Sequence, residues 1–249
     1  MSLAKTVVNK ILEGADVRKT IAEVTVSQEI SDEYIKHYSG ELGEFDYDTR
    51  EFELDGYLHY IGTEPDGSKI KIPNGVEKCN GMFADCKFLI KAPAIPNGVK
   101  DCTVMFKGCT SLIIAPEIPN SVEDCRFMFY NCESLTTPPV IPNRVENCDS
   151  MFFGCESLKK APIIPNSVKD CDMMFLGCHS LTKAPEIPNG VKFCSYMFAD
   201  CVSLTKAPVI PDSVKNCKDT MFDGCSKEVQ VAGYWNMFHR GQSYYDQNQ

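Results

Sequence analysis

Between residues 69 and 225 the apolar positions fall into a register that repeats every 23 residues. One copy, Ser157 to Cys178, reads SLKKAPIIPNSVKDCDMMFLGC. A Met-Phe pair marks the register at Met82-Phe83, Met105-Phe106, Met128-Phe129, Met151-Phe152, Met174-Phe175, Met197-Phe198 and Met221-Phe222. The first six are 23 residues apart and the last step is 24, because one extra residue sits between Cys217 and Met221. A unit this short cannot enclose a core. Stacked coils can, because each apolar side chain then lies on its own copy in the next rung. Leu112, Leu135, Leu158, Leu181 and Leu204 form one such ladder, and Ile95, Ile118, Ile141, Ile164, Ile187 and Ile210 another. The pattern predicts a solenoid of six to seven rungs over residues 69–225, with rungs about 4.7–4.9 Å apart as in a sheet.

Two proline columns punctuate each coil. Pro165 and its copies fix a turn, followed by Asn. The Ala-Pro column (Pro93, Pro116, Pro139, Pro162, Pro185, Pro208) removes a backbone donor and is expected to kink or interrupt a strand. The unit C-x-S-L-x-x-A-P-x-I-P-N-x-V-x-x-C-x-x-M-F-x-x resembles the BspA-type leucine-rich repeat, with Met-Phe where that family has Ala-Phe and Ile164 to Val168 matching its I-P-x-x-V. Two departures stand out: Cys replaces the Ile that follows that motif, and the Ala-Pro pair adds a residue before the Ile. The resemblance implies a repeat solenoid and leaves the ligand open.

The ends differ. Residues 1–68 hold no Cys. Ser2 and Asp16 can cap two short amphipathic helices, and Ser31 a third through Ile35. Phe52, Leu54, Leu58 and Tyr60 alternate around Asp55-Gly56, which predicts a β-hairpin. At the other end Val229, Val231, Tyr234, Trp235, Met237 and Phe238 can close the open core, and the polar run after Gly241 reads as a loose tail. The predicted class is α+β: an acidic helical and hairpin N-terminal cap (1–68), the solenoid (69–225), and a C-terminal cap with its tail (226–249).

Composition changes this picture in two places. All fourteen cysteines lie on two columns, Cys79 to Cys217 and Cys86 to Cys225. Their spacing is C-x₆-C and C-x₁₅-C, unlike the close Cys pairs of structural zinc sites, and no His repeats with them. Neighbours one rung apart are farther apart than the ~3.5–4.5 Å between Cβ atoms in a disulfide. The expectation is reduced, buried thiols that act as small hydrophobes, a reducing compartment, and no metal or other cofactor. The net charge of −9 argues against direct binding to nucleic acid or an anionic membrane. Residues 1–62 hold thirteen acidic against six basic side chains, and Glu41 to Asp55 seven acids opposed by Arg50.

No catalytic motif emerges. His37, His59, His179 and His239 share no pattern, and there is no Gly-rich phosphate loop, G-x-S-x-G or H-E-x-x-H. Surface columns offer more. Immediately before Met-Phe stand Phe127, Met173 and Tyr196, and immediately after it Tyr130, Phe153 and Leu176, at positions the repeat leaves free. They are the candidate binding stripe, with Glu51 and Glu53 as an acidic accessory that would speed encounter with a basic partner. The columns carrying Glu117, Lys159, Lys160 and Glu186 are the alternative face. The N-terminal MSLAKTVVNKILEGADVRKTI is similar to the starts of small proteins of large tailed bacteriophages, which would place the chain in a bacterial cytoplasm. The expected function is non-enzymatic protein–protein recognition, as a phage product engaging or inhibiting a host protein. A structural or virion-associated role comes second, and an enzyme with a site in the N-terminal segment third.

Overall fold

A computed structural model describes residues 45–46, 51–54, 57–60, 65–72, 76–215, 217 and 220–239. The three predicted N-terminal helices and the C-terminal tail lie outside the described residues.

Two antiparallel pairings join β1 (Phe45–Asp46), β2 (Glu51–Leu54) and β3 (Tyr57–Tyr60). β2 and β3 pair from Glu51 opposite Tyr60 to Leu54 opposite Tyr57, so Asp55-Gly56 is the two-residue connection that the sequence predicts. β1 adds Phe45 opposite Phe52, a contact too short to leave a periodic signal.

From Asp66 onward the chain coils. Regular strand is reduced to parallel bridges one residue wide, in two ladders. One joins Asp66, Lys91, Ile114 and Thr137; the other joins Lys78, Asp101, Asp124, Asn147, Asp170 and Phe193. Neither ladder enters the proline-bearing stretch, as the missing N–H groups require.

The Met-Phe edge is built from turns. Within each rung alternate N–H groups bond locally and forward. Met128 N donates to Cys125 O, Tyr130 N to Phe127 O and Cys132 N to Phe129 O, three residues back. Phe127 N, Phe129 N and Asn131 N donate to Asp149 O, Met151 O and Phe153 O of the next rung. From Cys125 to Cys132 every backbone donor therefore has a partner without a helix or a strand. Seven phenylalanines, Phe83 to Phe222, stack through the interior with centroids 5.4–5.8 Å apart and planes within 10° of parallel. These ring-to-ring distances, on an edge built of turns, are longer than the ~4.7–4.9 Å spacing of strands.

The Cys86 column does more than fill space. Cys109, Cys132, Cys155, Cys178 and Cys201 each donate Sγ–H to the Phe carbonyl of the preceding rung at 3.0–3.2 Å. All fourteen cysteines are thiols rather than disulfides, and all but the half-buried Cys217 are buried. Burial pushes the thiols up, Cys225 to about 11 and Cys86 to about 12. At neutral pH the thirteen buried thiols are therefore protonated and poor nucleophiles. Titration of native protein with a thiol reagent should find few reactive groups, with Cys217 first. Denaturation without reductant should release close to fourteen. A deficit of several thiols in the denatured sample would show disulfides and overturn this arrangement.

Helix α1 (Lys227–Phe238) follows the last rung, N-capped by Ser226, whose hydroxyl accepts from Val229 N. Its buried residues are Val229, Ala232, Gly233 and Asn236, and a Cβ at Gly233 would collide with the Phe222 ring, so the helix backbone lies directly on the last Phe of the stack. The set differs from the sequence expectation. Val231 and Phe238 are exposed, because the close approach selects the small face of the helix.

Candidate functional site

In six of the seven coils the residue before Met-Phe has a left-handed backbone: Gly81, Val104, Phe127, Ser150, Met173 and Tyr196, with φ between 53° and 64°. The turn pattern imposes this conformation, since the N–H of this residue must reach the next rung while that of the following Met reaches back three residues. Gly81 meets the requirement without strain. Val104, Phe127, Met173 and Tyr196 do not, and side chains of this kind in the left-handed region are outliers. Each costs of order 1 kcal/mol in backbone strain.

What these residues do is line a surface. Phe127 lies 6.0 Å from Tyr130, and Tyr130 stacks on Phe153 of the next rung at 4.4 Å and 12°. Met173, Leu176, Phe127, Tyr130 and Phe153 are half-buried, and Tyr196 is exposed. The six solenoid candidates thus occupy one strip across four successive rungs. Glu51 and Glu53 lie in β2, opposite Tyr60 and Leu58, and belong to the hairpin rather than to any rung.

Along one side of the strip runs a row of carboxylates. Asp101, Asp124, Asn147 and Asp170 each turn a side-chain oxygen back onto the N–H two residues on, at 2.8–3.0 Å. This Asx bond holds the chain into the next turn. Asn147 shows that an amide suffices, so the turn does not require the charge. Next in sequence stand Asp149 and Asp172. Asp149 accepts from the Ser150 hydroxyl and Asp172 from Ser195 N of the next rung. Arg126 opposes them, paired to Asp124 at 2.7 Å.

Partial burial, with the Asp172 charge adding to it, holds Asp149 and Asp170 above the ordinary carboxylate range. In the folded state these groups bind protons more tightly than in the unfolded chain. Stability therefore falls as pH rises through the window between the ordinary and the raised value, and stays reduced above it. Asp149→Asn should thus raise the thermal midpoint at pH 7 and leave it little changed below the ordinary carboxylate range. A lower midpoint at pH 7 would show that the charge supports the fold.

Two further surface features escaped the sequence reading. Phe193, 40% exposed, occupies the column of Asp and Asn residues, bridged to Asp170, three residues before Tyr196. Its signal was an aromatic in an otherwise polar column. Val140 and Ile163, 83% and 88% exposed, stand one rung apart in the column of Glu117 and Glu186 and form a separate apolar spot. Among the described residues no group of three or more His, Cys, Asp or Glu side chains is placed to hold a metal ion, and no helix is long and apolar enough to cross a membrane.

A family model described as BspA type Leucine rich repeat region matches in six copies over residues 67–143 and 103–229, which together span about two thirds of the chain. Two solved structures are similar. A T. pallidum leucine-rich repeat protein is 22% identical with a TM-score of 0.47, over 65% of this chain and 86% of its own. A leucine-rich repeat protein from Bacteroides ovatus is 23% identical with a TM-score of 0.45, over 59% of this chain and 44% of its own. No curated protein sequence matches the chain.

Proposed function

The chain belongs to the BspA-type leucine-rich repeat family, and from that premise we propose that it is a non-enzymatic recognition protein that docks another protein on the strip of Phe127, Tyr130, Phe153, Met173, Leu176 and Tyr196. Leucine-rich repeat proteins generally serve as binding scaffolds. The observation that carries the reading is the left-handed column. The turn favours Gly there, yet the chain places Phe, Met and Tyr side by side at a cost to its own backbone. Strain that the fold does not require points to use. Large, stiff aromatic side chains are also the usual anchors of protein interfaces.

The finer reading, a phage product that engages or inhibits a host protein in a bacterial cytoplasm, is supported by the N-terminal resemblance and by unbridged thiols that suit a reducing compartment. Residues 1–68 and 226–249 would then serve as caps, with Glu51 and Glu53 speeding encounter. Capture of partners on the tagged chain from bacterial lysate, followed by mass spectrometry, separates the readings. One stoichiometric protein is the expected result. Co-purification with assembled particles would replace it by the structural role.

A further inference from the structure

The strip's own cations show what it can hold. Arg126 is bound by Asp124 through Nε and Nη2, and Lys107 places its ammonium 5.6 Å from the centre of the Tyr130 ring. These are the two standard ways to bind a basic side chain, a carboxylate and an aromatic face. Farther along the solenoid the same two elements continue. Asp170 bridges to Phe193, Asp172 accepts from Ser195 N next to Tyr196, and Asp149 accepts from Ser150 at the start of the turn that carries Phe153; among the described residues no Lys, Arg or His forms an ion pair with these three carboxylates. The carboxylates are half-buried, and the turn that Asp170 makes would accept Asn, as Asn147 shows in the same column, while Asp149 and Asp172 only accept a hydroxyl and a backbone N–H. Charge is thus kept at positions where the fold needs only the oxygen.

We propose that the stretch of the strip from Asp149 to Tyr196 binds a basic segment of the partner protein, with Lys or Arg side chains on Asp149, Asp170 and Asp172 and apolar side chains against Phe153, Met173 and Tyr196. This rests on the recognition reading above and adds the chemistry of the partner. The basic side chains supply the charge the row lacks, and the apolar ones cover the exposed rings. A purely acidic or neutral segment would leave three carboxylates facing like charge or none.

The test uses the full chain and three fluorescein-labelled synthetic peptides of equal length, alternating Leu with Arg, Gln or Glu, read by anisotropy at low and at physiological salt. The Arg peptide should bind at least tenfold tighter than the Gln peptide, weaken with salt, and lose at least tenfold on Asp149→Asn with Asp170→Asn. The Glu peptide should not bind. Non-specific attraction to a chain of net charge −9 would be only slightly reduced by removing two charges. Both substitutions keep the oxygen, so the variant should fold, and an unchanged circular dichroism spectrum checks this. Arg and Gln peptides binding alike, or an Arg peptide indifferent to the two Asn substitutions, would overturn the basic-segment proposal. If the Gln peptide binds and is lost in Phe127→Gly with Tyr196→Gly, the apolar strip stands and its basic partner falls. If none of the peptides responds to either pair of substitutions, both readings fall. Self-association of the wild-type chain that the Asn pair abolishes would assign the surface to a second copy and also overturn the proposal.

Discussion

Phe152→Ala will cost about 3–5 kcal/mol of folding stability. The ring is fully buried in the middle of the stack, 5.6 Å from Phe129 and 5.7 Å from Phe175. Two features keep the loss near the top of the range for large-to-small changes. The neighbouring rings are held in register by their own rungs, because Phe129 N and Phe175 N each donate forward to the next coil, so they cannot collapse into the gap. The Phe152 carbonyl also accepts both Cys155 N and Cys178 Sγ–H, so backbone movement into the cavity would break bonds on two rungs. Set against a typical total of about 5–15 kcal/mol, the loss is a large fraction. Urea denaturation should show a much lower midpoint, and a cost below about 1 kcal/mol would mean that the Phe column does not form the core.

Gly154→Ala should be the other severe substitution, at about 2 kcal/mol or more. Gly154 has φ = 68°, which alone costs an alanine roughly 1–2 kcal/mol. The added Cβ would also collide with Asn131 Oδ1 on the rung before. The same arrangement recurs where Asp85 overlies Gly108 and Asp200 overlies Gly224. These rungs place a bulky Asp or Asn over a glycine because two side chains cannot share the space. Asn131→Gly in the same chain should therefore recover the steric part of the loss and leave the backbone part. A double-mutant cycle reads this directly, and strict additivity would show that the contact carries no energy.

The core was legible because burial forces the same residue onto the same column in each coil. The Leu, Ile, Val, Met, Phe and Cys columns, the hairpin at Asp55-Gly56 and the six strip residues could all be read from spacing. Backbone conformation was not. Nothing in Phe127 or Tyr196 announces a left-handed residue, since the steric rules argue against one there. The demand comes from hydrogen bonds to a rung 23 residues away. The thiol donors were hidden for a similar reason. Cys155 reads as a small hydrophobe until the Phe129 carbonyl is seen 3.1 Å from its sulfur. The carboxylate row was overlooked because Asp101, Asp124 and Asp170 look like ordinary solvated charges, and only the coil brings them into line with the aromatic strip. At the last rung the sequence suggested large apolar residues as the closure. Close packing on Phe222 instead selected Gly233.

The claim that the strained strip exists for binding is tested most directly by the affinity of the captured partner for the wild-type chain and for Phe127→Gly with Tyr196→Gly, measured by titration calorimetry beside the two unfolding midpoints. Glycine removes both rings and relaxes both left-handed residues, so the account predicts affinity lowered at least tenfold with an unchanged or slightly raised midpoint. A variant that binds as the wild type does would contradict it and shift attention to the face of Glu117, Lys159, Lys160 and Glu186. A variant that unfolds would contradict it as well, by showing the rings to be core.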